Sequence, residues 1–461
     1  MTRTLLAHQG IRSRIMKVRQ QPFNTPLNRG SDSYTDDSFP RHHTVSPALH
    51  KSPASAGRTN SLDQLTALKL LQNIGQPAIH VVLWDGSVVS TGADEPVARL
   101  YYRDRAALYL SVLHPELYWG DLYSEGRVEF DGDLVWLLDA VYRGLYTAGE
   151  KSKLIKLNES LGHRKIRNTF RRAADNIHHH YDIGNEFYRL WLDTAAMQYT
   201  CAYYPDPAMT LEEAQLAKMS HICRKLQLKP GDRVVEAGCG WGGFALYMAR
   251  HHGVNVRAYN ISQEQVKYAR EKAEEEGLSG RVEYVLDDYR NISGEFDVFV
   301  SVGMLEHVGT EYYPTLGQVI NGCLATGGRG LIHSIGRNRA RPMNAWIERR
   351  IFPGAYPPSL GEMMGIFETN KFSVLDVENL RLHYALTLDA WLQRFEQNAD
   401  RVEEMMDARF VRAWRLYLAG SQAAFTTGQL QLFQLVFARG NDNDIPMSRA
   451  HQYLPGESQP C

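Results

Sequence analysis

A ten-residue stretch near the middle of the chain constrains the fold more than any other. Positions 234–243 read VVEAGCGWGG, and an amphipathic run begins at Phe244. Apolar residues that lead into alternating glycines predict a buried strand, a tight turn and a helix, because glycine allows both a sharp bend and the close approach of a ligand. We therefore expect an α/β fold with a Rossmann-like doubly wound sheet.

The spacing of the glycines bears on the cofactor. Gly238, Gly240 and Gly242 form the pattern G-x-G-x-G, whereas dinucleotide sites carry G-x-G-x-x-G. The shorter pattern comes after a carboxylate, Glu236. This arrangement suits an adenosyl ligand that has no pyrophosphate and whose amino acid end lies on the turn. S-adenosylmethionine is favoured over NAD on this basis. A glycine-rich turn in some other α/β domain is the alternative.

Composition sets the broad class. A chain of 461 residues with 44% hydrophobic and 22% charged residues is long enough for two or three globular domains. The net charge of −1 gives no overall attraction to nucleic acid, and no such partner is expected. The five cysteines are scattered without a CxxC pair, which predicts no disulfide framework and no metal site and fits a reducing cytoplasm. No apolar run approaches the roughly 18 residues of a membrane-spanning helix.

Shifts in composition divide the chain into five predicted segments. The first is rich in Ser, Pro, Arg and His and cannot bury enough surface to offset chain entropy. The segments are a disordered N-terminal extension (1–60), a smaller α+β N-terminal domain (61–160), a basic linker (161–175), a larger α/β domain (176–440) and a flexible tail (441–461). The basic side chains in the linker and just before it are expected either to contact phospholipid head groups or to lie on the solvent-exposed surface of a helix.

Strands and helices alternate through the larger domain. Strands are predicted at 254–259, 282–286, 296–302 and 330–335, with a helix at 264–275. Ligands of such parallel sheets lie at the carboxyl ends of the strands, so one rim should carry Glu236, Asn260, Asp288 and Glu306. Beyond Leu380 the chain is predicted to be mostly helical, with helices at 386–395, 402–419 and 430–437.

Seven motifs occur in order between residues 180 and 336. They are HYDIGN at 180–185, YTCAYY at 199–204, EAGCGWGG at 236–243, ISQEQ at 261–265, DYR at 288–290, SVGMLEHVG at 301–309 and LIHSIG at 331–336. Together they resemble the cyclopropane-fatty-acyl-phospholipid synthase family, which includes the mycolic acid cyclopropane synthases. Residues 120–126 and 132–134 resemble the N-terminal domain of the phospholipid-acting members. The resemblance implies a class I SAM-dependent methyltransferase fold with a lipid-facing N-terminal domain.

The resemblance also implies a reaction, in which a methylene from S-adenosylmethionine is added across a cis double bond of an unsaturated phospholipid acyl chain. Methyl transfer to an alkene leaves a carbocation, so the enzyme must exclude water, stabilise the cation and remove one proton. Members of the family bind a bicarbonate ion as the base. The positions that correspond to its ligands are Cys201, Glu306, His333, the backbone of Ile335, and Tyr384. Aromatic rings of a type suited to the cation are Tyr181, Phe187, Tyr203 and Tyr204.

The same resemblance assigns the cofactor site. The residues expected to hold S-adenosylmethionine are Tyr199, Thr200, Glu236, Gly238, Gly240, Gln265, Asp288 and Tyr289. Within this set, Gln265 is expected near the ribose, and Asp288 with Tyr289 near the adenine. The segment 351–358 is expected either to line the acyl tunnel or to form a rigid turn without a ligand role.

Three alternative functions stay open. A relative could methylate the same olefin to a methyl- or methylene-branched chain, the scaffold could serve a small-amine N-methyltransferase, or the chain could bind lipid without catalysis. Cys201 and His333 argue against the amine, because a nucleophilic amine needs no bicarbonate cluster. The expected partners are unsaturated acyl chains, a transiently bound phospholipid membrane surface and a second copy in a homodimer. The expected location is the cytoplasm, peripherally at the inner face of the membrane.

Overall fold

The computed structural model describes residues 58–92, 94–147 and 184–453. Nearly all of the predicted N-terminal extension, the whole basic linker and the boundary predicted at residue 160 therefore lie outside the described residues. All described residues belong to one compact unit.

The N-terminal part is a small α+β unit, as expected. In chain order it contains α1 (Ser61–Asn73), β1 (Ile79–Val82), β2 (Val88–Val89), β3 (Ala98–Tyr102), α2 (Arg105–Leu113), α3 (Pro115–Ser124), β4 (Val128–Asp131) and α4 (Leu134–Thr147). Its four-stranded sheet has the order β2-β1-β3-β4, in which only β1 and β3 are parallel.

The larger part alternates strands and helices. Its elements are α5 (Asn185–Arg189), α6 (Leu211–Lys225), β5 (Arg233–Ala237), α7 (Gly243–His252), β6 (Asn255–Asn260), α8 (Gln263–Glu275), β7 (Val282–Leu286), β8 (Phe296–Val302), α9 (Tyr313–Cys323), β9 (Leu324–Gly336), α10 (Ala345–Arg350), α11 (Leu360–Met363), β10 (Phe372–Asn379), α12 (Arg381–Gln397), α13 (Ala399–Met405), α14 (Ala408–Thr426), β11 (Gln431–Arg439) and α15 (Ala450–Tyr453).

One seven-stranded sheet organises this part. Its order is β10-β11-β9-β8-β5-β6-β7, and the five strands from β9 to β7 are parallel. Strand β11 runs antiparallel to both of its neighbours, β9 and β10. Two buried apolar clusters hold the parallel strands between helices. The predicted doubly wound sheet is confirmed.

The helix predicted at 430–437 is wrong, because this segment forms strand β11. Every residue from 431 to 438 is buried, since β11 lies between two strands. A continuous apolar run of this length has the same sequence pattern in a buried helix and in a buried strand, so periodicity could not separate them.

Two other predicted boundaries also differ from the structure. The helix predicted at 402–419 is interrupted between α13 and α14, where the Asp407 carboxylate accepts a hydrogen bond from the Phe410 N–H at 2.6 Å and caps α14. The predicted flexible tail includes α15, whose buried Gln452 donates a hydrogen bond to Asp376 at 2.7 Å. The packed chain therefore continues beyond residue 440.

The N-terminal unit packs directly against the larger part. Helix α14 contacts α3 and α4, and the Arg350 guanidinium forms an ion pair with Asp121 at 2.8 Å. The Trp346 ring covers Gly120 of α3, where a Cβ atom would lie 2.6 Å from the indole. No helix among the described residues is both long enough and apolar enough to cross a membrane.

The contact between Gly120 and Trp346 predicts the effect of a larger side chain. Trp346 is buried, so a larger side chain at position 120 must displace its ring. We expect Gly120→Val to lower the free energy of unfolding of the full chain, measured by urea denaturation, by about 1–3 kcal/mol, as overpacking does elsewhere.

Gly361→Val is the matched control, because a Cβ there meets no described atom within 4 Å. Equal stability of the two variants would contradict the contact.

Candidate active site

The glycine turn between β5 and α7 is built by backbone conformation. Gly238, Gly240 and Gly242 have φ angles of 82°, 53° and 82°, and residues other than glycine rarely adopt such values. A Cβ at Gly238 would also lie 2.8 Å from the Cβ of Met304. The turn therefore requires glycine both for its bend and for close packing.

A cavity of about 100 Å³ opens beside this turn. Most residues predicted to hold the cofactor line it, namely Tyr199, Thr200, Glu236, Gly238, Gly240 and Gln265. Further lining residues that the sequence did not assign to the cofactor include Trp241, Met304 and His307. The cavity lies at the carboxyl end of β5, as expected for this type of sheet.

Polar atoms at this cavity lack partners among the described residues. Glu236 is buried, and neither its Oε2 nor the Nε2 of Gln265 has a hydrogen-bond partner there. Burial raises the pKa of Glu236 to about 8. Asn260 fixes the Gln265 side chain by donating to its Oε1 at 2.9 Å. A carboxylate and an amide held in this way fit a ligand with an ammonium group and ribose hydroxyls, such as S-adenosylmethionine.

A buried lysine supports one wall of the cavity. The Lys218 Nζ of α6 donates to Gln198 Oε1 at 2.6 Å and to Thr200 Oγ1 at 2.9 Å. Lys218 is 1% exposed, and burial lowers its pKa to about 8. The sequence analysis missed this residue, because a lysine in an amphipathic helix is normally on the solvent side.

Asp288 and Tyr289 are not brought to this cavity, since neither is among the described residues that line it. The Asp288 carboxylate caps the short 3₁₀ helix at Tyr289–Asn291 and pairs with Arg290 at 2.7 Å. The Arg290 guanidinium also lies over the Tyr289 ring. These contacts are local, and the role of both residues near the adenine stays a prediction.

A second cavity, of about 260 Å³, contains all five predicted catalytic residues in its lining: Cys201, Glu306, His333, Ile335 and Tyr384. Tyr199, Thr200, Gly303 and His307 line both cavities. The two cavities are thus adjacent and share these residues in their lining.

Glu306 is the most constrained group of the second cavity. The Ile335 N–H donates a hydrogen bond to its Oε1 at 2.6 Å, whereas Oε2 has no partner among the described residues. Burial raises the pKa of Glu306 to about 7. The backbone of Ile335, predicted to contact the anion, therefore already holds the carboxylate.

His333, Cys201 and Tyr384 complete the cluster. The His333 Nδ1 lies 3.1 Å from the Gln434 Nε2, and its Nε2 has no partner among the described residues. Burial, together with the ammonium groups of Lys218 and Lys225, holds the pKa of His333 well below its usual value. Burial raises the pKa of the Cys201 thiol, whose Sγ lies 3.1 Å from the Ala202 carbonyl. Cys201 is therefore a neutral thiol rather than a nucleophile.

Three of the four aromatic rings suggested for the cation are placed away from the larger cavity. Phe187 packs in a buried cluster with Trp191 and Trp414, and Tyr203 stacks on His221 at 4.2 Å between ring centroids. Neither these rings nor Tyr204 lines the larger cavity, and Tyr181 lies outside the described residues. The aromatic rings that do line it are Trp119, Tyr142, Tyr199, Trp346, Phe352, Tyr384, Tyr417 and Phe425.

The far wall of the larger cavity comes from the N-terminal unit. Pro115, Trp119 and Gly120 of α3 line it with Leu138 and Tyr142 of α4. Phe352, Ala355 and Pro357 line it from the segment 351–358, for which the sequence left open an acyl tunnel or a rigid turn without a ligand role. The wall is mainly apolar and aromatic, as the burial of a hydrocarbon chain requires.

The fold, together with the cavity at its glycine turn, defines an S-adenosylmethionine-dependent methyltransferase. Residues 168–435 match the family model described as mycolic acid cyclopropane synthetase, and the chain belongs to this family. Among solved structures, the cyclopropane synthase MmaA2 from Mycobacterium tuberculosis is 27% identical with a TM-score of 0.55 and covers 58% of this chain and 98% of its own. The mycolic acid cyclopropane synthase CmaA1, in complex with SAH and CTAB, is 29% identical with a TM-score of 0.55 over 57% of this chain and 97% of its own.

Two relatives differ in the name of their activity. A probable fatty acid methyltransferase of Pseudomonas putida is 35% identical over 83% of this chain and 98% of its own length. The cyclopropane-fatty-acyl-phospholipid synthase of Escherichia coli K12 is 42% identical over 59% of this chain and 69% of its own length. Both are similar to this chain, while the activity in their names differs.

The glycine turn predicts a loss of cofactor affinity without general unfolding. In Gly238→Ala, the φ of 82° and the contact with Met304 would displace the turn. We expect the affinity for S-adenosylhomocysteine, measured by calorimetry, to fall about tenfold or more, which corresponds to about 1.4 kcal/mol. Gly231→Ala is the matched control, because Gly231 has a φ of 88° but lies in open space away from the cavity. An equal affinity in both variants would refute the role of the turn.

Proposed function

We propose that this enzyme transfers a methylene from S-adenosylmethionine across a cis double bond of an unsaturated phospholipid acyl chain to form a cyclopropane fatty acid. The observation that carries the proposal is the pair of cavities with a shared wall. One presents groups for an adenosyl ligand, and the other presents an apolar lining with a buried carboxylate and a buried imidazole. The name of the Escherichia coli relative supports the phospholipid substrate.

Different residues of the two cavities would have different roles in the reaction. When bound, S-adenosylmethionine supplies an electrophilic methyl group and bicarbonate supplies a proton acceptor. Tyr199 and Thr200 form the wall through which the two cavities meet and would position the sulfonium end. The alkene uses its π electrons to form the new C–C bond as the C–S bond breaks, which leaves a carbocation on the chain. Tyr199, Tyr384 and Phe352 offer ring faces to that charge without capturing it.

Proton removal would be organised by Glu306 and His333. Each places a buried polar atom without a partner among the described residues at the same cavity, which fits a small anion with both a donor and an acceptor. The apolar lining keeps water away from the cation. When a proton leaves the transferred methyl group, its C–H electron pair closes the ring.

A second candidate is methylation of the same olefin without ring closure. The observation that favours it is the name of relatives that match over most of the chain, the probable fatty acid methyltransferases of Pseudomonas putida and Mycobacterium tuberculosis. Both reactions begin with the same methyl transfer and differ only in the fate of the carbocation.

Mass spectrometry of lipids from cells that express the protein separates the two candidates. We expect phospholipid acyl chains that gain one CH₂ and no longer react as alkenes, because the ring consumes the double bond. Cells that express His333→Asn provide the control. A gain of CH₂ with unsaturation retained, or a net gain of CH₄ in a saturated branched chain, for which a separate hydride donor must reduce the carbocation, would support methylation without ring closure. Modification of free fatty acids alone would refute the phospholipid substrate.

Glu306 predicts a specific pH dependence. Since burial raises its pKa to about 7, its carboxylate is protonated below that pH and cannot accept a hydrogen bond through both oxygens. We expect kcat/KM to rise as the pH increases through about 7. Glu306→Gln should abolish this rise of kcat/KM with pH. It should also lower turnover by about 10²–10⁴-fold, the usual contribution of acid–base groups, and leave the cofactor affinity unchanged.

The control for this experiment is cofactor binding to the same variant. If affinity for S-adenosylhomocysteine fell in step with turnover, Glu306 would belong to the cofactor site instead. Turnover in buffer depleted of carbon dioxide, with and without added bicarbonate, tests the identity of the anion. A rate that does not respond to bicarbonate would rule it out as the base.

A further inference from the structure

Three polar side chains form a row across adjacent strands behind the larger cavity. In the sheet register Glu378 of β10 pairs with Gln434 of β11, and Gln434 pairs with His333 of β9. Residues opposite each other on neighbouring strands project from the same face. Lys225, the last residue of α6, lies over this row and is 3% exposed.

Each hydrogen bond along the row has only one possible assignment of donor and acceptor. The Lys225 Nζ is 2.5 Å from Glu378 Oε2 and 2.8 Å from Gln434 Oε1. An ammonium group only donates, so the amide oxygen of Gln434 must face it. The amide NH₂ of Gln434 consequently faces the His333 Nδ1, at 3.1 Å. Because that NH₂ also only donates, the Nδ1 must accept.

This assignment determines the tautomer of His333. A neutral imidazole that accepts at Nδ1 carries its proton on Nε2. The two nearby lysines and the burial of the ring favour the neutral form, since they lower its pKa. Nε2 is buried, has no partner among the described residues and belongs to a side chain that lines the larger cavity.

We propose that Lys225 and Gln434 are positioning residues that hold His333 as the Nε2–H tautomer, so that the cavity contains a fixed donor beside the acceptor oxygen of Glu306. The inference deepens the proposed function and rests on it for its chemical consequence. A bicarbonate ion would then bind in one orientation, with an anionic oxygen on His333 and its hydroxyl group on Glu306. A fixed orientation leaves the same oxygen facing the reacting carbon in every turnover.

Glu378 completes the arrangement. Its Oε2 also accepts from the His221 Nε2 at 2.8 Å, and its Oε1 accepts from the Tyr453 hydroxyl at 3.1 Å. Hydrogen bonds and the neighbouring Lys225 hold the pKa of Glu378 at about 2 despite burial. The carboxylate therefore stays ionised and favours the charged form of Lys225, against the burial that lowers the pKa of this lysine.

The tautomer can be observed directly in the full-length enzyme labelled with ¹⁵N-histidine. The signals of His333 are assigned by comparison with His333→Asn, among the 17 histidines of the chain. In wild-type protein without substrate we expect a neutral ring that is protonated on Nε2. A ring protonated on Nδ1 would overturn the inference, whichever lipid product the enzyme makes.

Gln434→Glu tests the cause of the tautomer. A carboxylate only accepts, so the proton should move to Nδ1 and the Nε2 should become an acceptor. We expect this inversion in the ¹⁵N spectrum, and a 10–100-fold lower kcat with an unchanged KM for S-adenosylmethionine, the usual effect of an outer partner of a functional histidine.

Gln431→Glu provides the matched control, because Gln431 is a buried glutamine of the same strand that bonds to Asn379 and Gly428 rather than to His333. It should leave the His333 tautomer and kcat unchanged. If Gln434→Glu lowered kcat but left Nε2 protonated, the row would have only a structural role. If Gln434→Glu did not fold, the wild-type spectrum and Lys225→Arg, which keeps the donor and should keep the Nε2–H tautomer, would decide the question.

Discussion

The hydrogen bond from the Ile335 N–H to the Glu306 carboxylate is the interaction on which the site depends. A carboxylate that is removed from water destabilises the protein unless it is hydrogen-bonded, and here one oxygen is bonded while the other lies without a partner among the described residues. Strand β9 supplies both this N–H and the side chain of His333 two residues earlier. The carboxylate and the imidazole are thus held relative to each other by the rigidity of a single strand.

The apolar cavity depends on a second contact, between the N-terminal unit and the sheet domain. Trp346 covers Gly120, and α3 and α4 provide one wall of the space into which Glu306 and His333 are placed. The N-terminal unit therefore encloses one side of this cavity, and exclusion of water strengthens each hydrogen bond in it.

Sequence reasoning found those parts of the site that are encoded locally. The glycine turn was predicted because positive φ angles and close packing leave few residues to choose from. Glu236, Gly238, Gly240, Gln265 and the five positions predicted to be catalytic all line the two cavities. Asp288 and Tyr289 were not brought to the cofactor cavity, because Arg290 engages the carboxylate of one and lies over the ring of the other.

The amino-acid sequence by itself determined the strand–turn–helix at the cofactor, the parallel sheet and the family, since each rests on residues that are close together along the chain. Only the tertiary structure decided which side chains surround the reacting groups. Gln434 lies in a segment whose apolar pattern predicted a helix, and its position opposite His333 depends on β11 entering the sheet between β9 and β10. Lys218 and Lys225 occupy an ordinary amphipathic helix, and their burial depends on what packs against it. Contacts between residues about 100 positions apart leave no local pattern in the sequence, because they form only when whole helices and strands pack together.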